Sequence, residues 1–371
     1  MDLISLGCIV LTEGVRYAFT RNVHDFMFRV GKKSIRVNVV YTKIIQALAA
    51  AYLDGPYVVE NTSDVPAPEI DGVKVEGILG SGLVAVVFRG VFEGNAVAIK
   101  VLRPGILNSL RRGIRRAKAV SHVLACFSRL RPLNLVTFVQ QVTDLLVSQV
   151  DFEQEARNQL RFTSLAASVP NVTVPKLYLY TSTYIVSELL VPAEGDNEVR
   201  AKAIISLLVK SLYFDRFLHG DMHLGNFVFI GDTVGVLDFG IMVDLPKGTC
   251  DALLTMFMSI YKKTYEVAAR TMIYEFASPR EILETLDAVD LLALVDGIAQ
   301  ILQRADTRGE IGLREVNDIM RVAYRYGVNV DDEFHKVILA IAAGDQVIKR
   351  LSPRALELFK DEMALLDDLE K

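Results

Sequence analysis

The chain has 371 residues, 51% of them hydrophobic and 23% charged, and a formal net charge of −4 at pH 7. That length supports two lobes and a sizeable core, and the weakly acidic balance excludes a global basic field for nucleic acid. The three cysteines (Cys8, Cys126, Cys250) and five histidines are scattered, which excludes a zinc cluster and fits a reducing compartment better than a disulfide frame.

No apolar run approaches the roughly 18–20 residues of a membrane span. The start, where Asp2 precedes a short apolar patch, lacks a signal-peptide layout. Residues 1 to about 54 read as helix, with Arg and Lys scattered from Arg16 to Arg36. Within them, Lys43 and Gln46 stand three apart on one helical face. Asp54-Gly55-Pro56 and Pro66-Ala67-Pro68 mark a linker up to Gly72. Gly72 to Val101 is rich in Val and Gly and reads as strands.

Inside that β-rich segment, Gly80-Ser81-Gly82-Leu83-Val84-Ala85 is a glycine-rich turn between strands, where Gly permits close backbone approach to phosphates. Glu93-Gly94-Asn95 separates two further strands, and the second ends in Val97-Ala98-Ile99-Lys100. A lysine in an otherwise apolar strand calls for a partner, because an unpaired buried charge is expensive. From Pro104 to Ala167 the period turns helical. Leu107 to Leu130 carries Arg111, Arg112, Arg115, Arg116 and Lys118 opposite an apolar stripe of Leu107, Leu110, Ile114, Ala117 and Leu124. This is a solvated basic face or, as the alternative, a peripheral contact with an anionic membrane. Phe138 to Phe162 reads as one long amphipathic helix with Glu153 and Glu155 in its second half. Their 200° separation allows only one of them to face Lys100.

Val172 to Leu190 returns to strand, and Glu188-Leu189-Leu190, after the Ile185-Val186 strand, reads as a hinge whose backbone would meet adenine. Beyond Gly195 the chain is helical except for one hairpin. Phe227-Val228-Phe229-Ile230 and Thr233 to Leu237 flank Gly231-Asp232, a two-residue turn. In that register Asn226 lies opposite Leu237, next to Asp238. Upstream is His219-Gly220-Asp221, and downstream is Asp238-Phe239-Gly240. Phosphoryl transfer from Mg-ATP needs this set: a carboxylate near the acceptor hydroxyl, and an Asn and a second carboxylate on Mg²⁺. His219 reads as a prop for its loop, and His223 stays open between structure and catalysis. The layout is α+β: a helical extension with linker over 1–70, a β-rich lobe over 71–191 and an α-rich lobe over 192–371.

These motifs together resemble the UbiB-like, coenzyme Q-associated aarF-domain atypical kinases. The resemblance runs from about Lys43 to Pro353. It is carried by Val97 to Gly105, by Asp151-Phe152 with Glu155-Ala156 and Asn158, by the His219-to-Asn226 segment and by Leu237-Asp238-Phe239-Gly240. It implies a protein-kinase-like fold, ATP and Mg²⁺ as cofactors, and kinase or ATPase activity near lipid or quinone metabolism. By residue it implies Asp221 as base or orienter, Lys100 held by Glu155 on the phosphates, and Gly80, Ser81 and Gly82 as the covering loop. Glu188 and Leu190 fall at the adenine end, and Asn226 and Asp238 on the metal. Lys43 and Gln46 match the family's Lys-x-Gly-Gln element, with Ile45 in place of Gly. In the family that lysine meets a Glu-x-Asp motif, here Gln149-Val150-Asp151, making Asp151 its regulatory partner. In the family the Lys-x-Gly-Gln element occludes the substrate site; the substitutions at Ile45, Gln149 and Leu224 (usually Pro), and a glycine loop where the family has alanines, weaken the carry-over of that occlusion and of lipid-linked ATPase behaviour. They leave the ATP–Mg set intact. A small-molecule phosphotransferase of the aminoglycoside or choline type and a nucleotide-sensing scaffold are the alternatives. The reading is cytoplasmic, with any membrane contact peripheral; an organelle address rests only on the mildly basic first 36 residues.

Overall fold

The computed structural model describes residues 5, 8, 9, 12, 13, 16, 17, 23–34, 37–52, 65–126, 135–309 and 313–369. Most of the expected linker, residues 53–64, lies outside them, as do the last residues of the expected basic helix. Two compact units are present: Met1–Ala156 with Lys176–Leu189, and Arg157–Pro175 with Leu190–Lys371.

In the first unit five strands form one antiparallel sheet: β1 Val73–Ser81, β2 Ala85–Phe92, β3 Asn95–Leu102, β5 Leu177–Tyr180 and β6 Tyr184–Glu188, in the order β1-β2-β3-β6-β5. (β4, Val172–Thr173, belongs to the second unit.) Phe92 pairs with Asn95, so the β2–β3 turn has two central residues, Glu93 and Gly94, both at positive φ. Such a turn matches the twist of its flanking strands, which draws Asn95 into the ladder. Alternation along β3 buries Val97 and Ile99 in one core with Val86, Phe88 and Val186. Lys100 therefore faces the other side, opposite Ile185 on β6.

That other side is covered by α2 Val39–Tyr52, α3 Ile106–Ala125, α4 Leu135–Ser148 and the start of α5, Phe152–Ala166, while α1 Val23–Ser34 packs on α2. Their shared core includes Val40, Leu110, Leu146 and Phe152. Asn38 fixes the entry to α2. Its Oδ1 accepts from the Val40 amide (2.9 Å), and its Nδ2 donates to the Ser109 carbonyl on α3 (2.9 Å). Gly113 makes room for it, since a Cβ there would collide with the Asn38 side chain.

Two sequence expectations are corrected here. The single helix Phe138–Phe162 is two helices, α4 and α5, broken at Gln149-Val150-Asp151. Asp151 Oδ1 accepts from the Gln154 amide (2.9 Å), starting α5 anew. The sequence carries this signal, because Asp-Phe-Glu-Gln is a capping-box pattern. On α3 the buried stripe is Ile106, Leu110 and Ala117, while Leu107 is exposed beside Arg111, Arg112 and Arg115. No described helix is long and apolar enough to cross a membrane.

The second unit is built on one large core in which Phe162, Leu165 and Val169 join Ile204, Leu207, Leu218, Val236, Leu253 and Ile298. Its strands are short: β4-β9-β8 form one sheet, with β8 Phe227–Ile230 and β9 Thr233–Val236, and β10 Met242–Asp244 pairs with β7 Phe217–His219. Helices Asn197–Val209, Lys247–Tyr261, Tyr265–Phe276, Ala288–Arg308, Leu313–Arg325, Asp332–Leu351 and Ala355–Leu369 complete it.

Candidate phosphate and metal site residues

In the first unit, Lys100 Nζ donates to Glu155 Oε1 at 2.6 Å. Glu155 is 5% exposed and lies in the first turn of α5, while Glu153 points to solvent. Lys100 also sits 5.4 Å from the ring centroid of Phe152, a cation–π approach that helps a half-buried ammonium. The helix break decides between the two carboxylates: the capped turn starting at Asp151 sets which one faces the sheet.

Gly80 and Ser81 end β1, and Gly82 opens the turn to β2. The Gly82 amide donates to the Ala85 carbonyl at 2.9 Å, closing the turn. A residue to which sequence reasoning gave no site role also meets this loop. Arg103, buried just beyond β3, donates from Nε to the Gly82 carbonyl (3.0 Å) and from a terminal nitrogen to Ser81 Oγ (2.6 Å). Its signal in the sequence is a lone arginine between the apolar end of a strand and a Pro-Gly turn.

Glu188 closes β6, its amide donating to the Lys176 carbonyl (2.8 Å); Leu189 donates to the Ala96 carbonyl (3.0 Å). The boundary between the units falls between Leu189 and Leu190. Lys43 and Gln46 are half-buried on α2. The Asp151 carboxylate serves as the α5 cap.

The second unit assembles the other residues around the hairpin. Ile230 pairs with Thr233 and Phe227 with Val236. At the open end the Leu237 amide donates to the Asn226 carbonyl at 2.8 Å, so Asn226 and Asp238 leave the strands as neighbours. Asn226 is buried and its Nδ2 donates to the Asp221 carbonyl (2.8 Å). The amide nitrogen is thereby directed at Asp221, which leaves Oδ1 as the oxygen for a cation. Asp238 has φ 55°, the left-handed region uncommon for side chains with a Cβ. Its Oδ1 accepts from the Gly240 amide at 3.2 Å. This local bond helps an aspartate tolerate the conformation.

His219 ties these pieces together. It is 1% exposed, with Nε2 donating to the Leu237 carbonyl (3.0 Å) and Nδ1 accepting from the Asp221 amide (3.2 Å). Burial pushes its pKa below the usual histidine range, although the Leu237 carbonyl and the Asp238 and Asp221 carboxylates pull the other way. The neutral ring is the form that makes both bonds. Gly220 is required for close packing, because a Cβ there would fall 2.7 Å from Ile241 Cγ2. Asn158, which carries no role in the sequence reading, donates to the Phe239 carbonyl (2.9 Å) and braces the same turn. His223 is exposed, its Nδ1 accepting from the Gly225 amide (3.0 Å) and its Nε2 lying 3.5 Å from Asp221 Oδ2.

The donor set fits magnesium. Among the described residues no three His, Cys, Asp or Glu side chains cluster as a metal cage. Magnesium bound with a nucleotide uses one or two protein oxygens and completes its shell with water and phosphate. Asn226 and Asp238 supply that number of residues.

A β-sheet unit with a glycine turn and an ion-paired strand lysine, and a helical unit with the Asp–Asn–Asp hairpin, define a protein-kinase-like α+β fold. In agreement, the chain resembles the structure of the Mycobacterium tuberculosis protein Rv3197, solved in complex with erythromycin, with a TM-score of 0.50 over 75% of this chain and 74% of that one, at 18% identity. Residues 77–272 match the family model of the ABC1 atypical kinase-like domain, and the chain belongs to that family. Among curated relatives, a chloroplastic "uncharacterized aarF domain-containing protein kinase" of Arabidopsis thaliana is 26% identical over 305 residues, covering 72% of this chain and 56% of its own length. The Arabidopsis protein ACTIVITY OF BC1 COMPLEX KINASE 3, also chloroplastic, is 24% identical over 268 residues, covering 67% of this chain and 37% of its own length. The chain thus spans about half or less of these relatives.

Proposed function

We propose that this chain binds Mg-ATP and acts as an atypical kinase or ATPase. The observation that carries the reading is the hairpin closure, in which the Leu237–Asn226 hydrogen bond makes the two metal-type oxygens neighbours and the Asn226 amide grips Asp221. Asn226 and Asp238 hold the cation, which when bound neutralises charge on the phosphates. Lys100, oriented by Glu155, neutralises the α- and β-phosphates. The glycine turn covers them, and Glu188 and Leu190 offer backbone groups to adenine. Asp221 orients the acceptor hydroxyl or a water and receives its proton. In this chemistry the protein positions groups and neutralises charge. The setting near lipid or quinone metabolism, and a peripheral contact of the α3 basic face with anionic lipid, extend the proposal on the strength of family membership and exposed Arg111, Arg112 and Arg115.

Calorimetry with ATP in the presence and absence of Mg²⁺, run beside phosphate release and transfer of labelled γ-phosphate, tests this. Expected are magnesium-dependent nucleotide affinity and turnover. Folded protein with no such affinity overturns the reading. Affinity without release or transfer would leave a nucleotide-sensing scaffold.

A further inference from the structure

The glycine turn differs from a flexible flap in one respect: its Gly82, Val84 and Ala85 carbonyls are already engaged. Arg103 Nε takes the Gly82 carbonyl at 3.0 Å, and the Arg103 amide takes the Val84 carbonyl at 2.9 Å. The Ala85 carbonyl receives the Gly82 amide at 2.9 Å, and Ser81 Oγ accepts from the guanidinium at 2.6 Å. The amides of Leu83 and Val84, in the middle of the same turn, donate to no group among the described residues. A short turn with one carbonyl drawn to a cation, two more taken by backbone amides and successive N–H groups left over is an arrangement suited to an anion.

The side chain doing this is unusual in its place. Arg103 is 6% exposed and follows the apolar β3 directly, three residues after Lys100. Its fork reaches two successive residues of the turn at once, a geometry that lysine cannot reproduce.

We infer that Arg103 is the positioning residue of the glycine turn, its guanidinium holding the Gly82 carbonyl and the Ser81 hydroxyl so that the Leu83 and Val84 amides are presented to phosphate oxygens of the nucleotide. The inference rests on the proposed Mg-ATP reading and deepens it. Arg103 itself touches no phosphate in this scheme; it acts through the turn.

The test compares Mg-ATP with adenosine as probes on the whole chain and its Arg103→Met, Arg103→Lys and Ser81→Ala variants. Hydrogen exchange of the 79–85 segment is read without nucleotide. Loss of the two-pronged clamp should weaken Mg-ATP binding about tenfold or more in Arg103→Met, and removal of one hydrogen bond should weaken it about threefold in Ser81→Ala. Adenosine affinity should be unchanged in both, since adenosine presents no phosphate. Arg103→Lys should fail to restore ATP affinity, and exchange at Gly82 should speed up in every Arg103 variant while β3 stays protected. Ser81→Ala keeps the test decisive if both Arg103 variants fail to fold. Parallel losses for ATP and adenosine, or unchanged ATP affinity in folded variants, overturn the role of Arg103 while leaving the Mg-ATP reading standing. Absence of Mg-ATP binding in the unsubstituted protein removes both.

Discussion

The lysine side and the hairpin side are built on different principles. In the second unit, Asp221, Asn226 and Asp238 fall within 18 consecutive residues, and one tight turn determines which of them become neighbours. In the first unit, Lys100 and Glu155 stand 55 residues apart and meet because a sheet face and a newly capped helix converge. A local constellation is fixed by backbone register. A distant one depends on packing, and a single misplaced helix boundary changes its partner.

Substitutions can break that contrast or sharpen it, and the largest effect belongs to the hairpin. Asp238→Asn should lower magnesium-dependent phosphate release by on the order of a hundredfold or more, because a preorganised charge is lost. Asp221→Asn should spare nucleotide affinity and lose turnover to a similar extent. Steady-state phosphate release paired with calorimetry reads both, and wild-type rates in either variant would break the assignment.

On the lysine side the effect should appear in stability first. Glu155→Ala leaves a half-buried ammonium without its carboxylate, at a cost of about 3 kcal/mol. Urea unfolding followed by circular dichroism measures it, and Glu153→Ala, at an exposed position, serves as the contrast with little change.

His219 should make the hairpin side pH-sensitive. Burial lowers its folded-state pKa below the unfolded value of about 6.5, so the neutral ring is favoured by folding. Its contribution is complete above pH of about 6.5 and declines as pH falls through that value towards the lowered folded pKa. Urea midpoints between pH 7.5 and 5 should therefore drop, and drop less in His219→Gln. An identical slope in the two proteins would refute this linkage.

The smallest effect tests the helix break. Asp151→Ala should cost about 1 kcal/mol through loss of the α5 cap. It should also loosen the Lys100–Glu155 pair, read as faster hydrogen exchange over 152–156. Unchanged exchange would show that packing of Phe152 alone holds that turn.

Much of the architecture can be read from residue order. Alternation in β2 and β3, the Gly231-Asp232 reversal and the helical periods past Gly195 all specify the α+β class. The Asn226–Leu237 alignment follows directly from the two-residue loop. The break at Gln149-Val150-Asp151 was also written in the capping pattern, but the apolar period of Phe138–Phe162 continues across it, so periodicity alone joins two helices into one. Arg103 lies in the Val97-to-Gly105 run that carries the resemblance, but its contacts are not legible there, because its burial against Ser81 and Gly82 depends on how β1 returns to β3.

The order of amino acids by itself thus determined most secondary elements and the hairpin that groups Asn226 with Asp238, because each follows from short-range periodicity and turn geometry; the family was legible through the resemblance of its motifs. Only the tertiary structure decided that Glu155 rather than Glu153 meets Lys100, that Asp151 caps a helix, and that Arg103 clasps the glycine turn. Those outcomes depend on which faces of distant segments are buried together, and burial is a property of the packed chain.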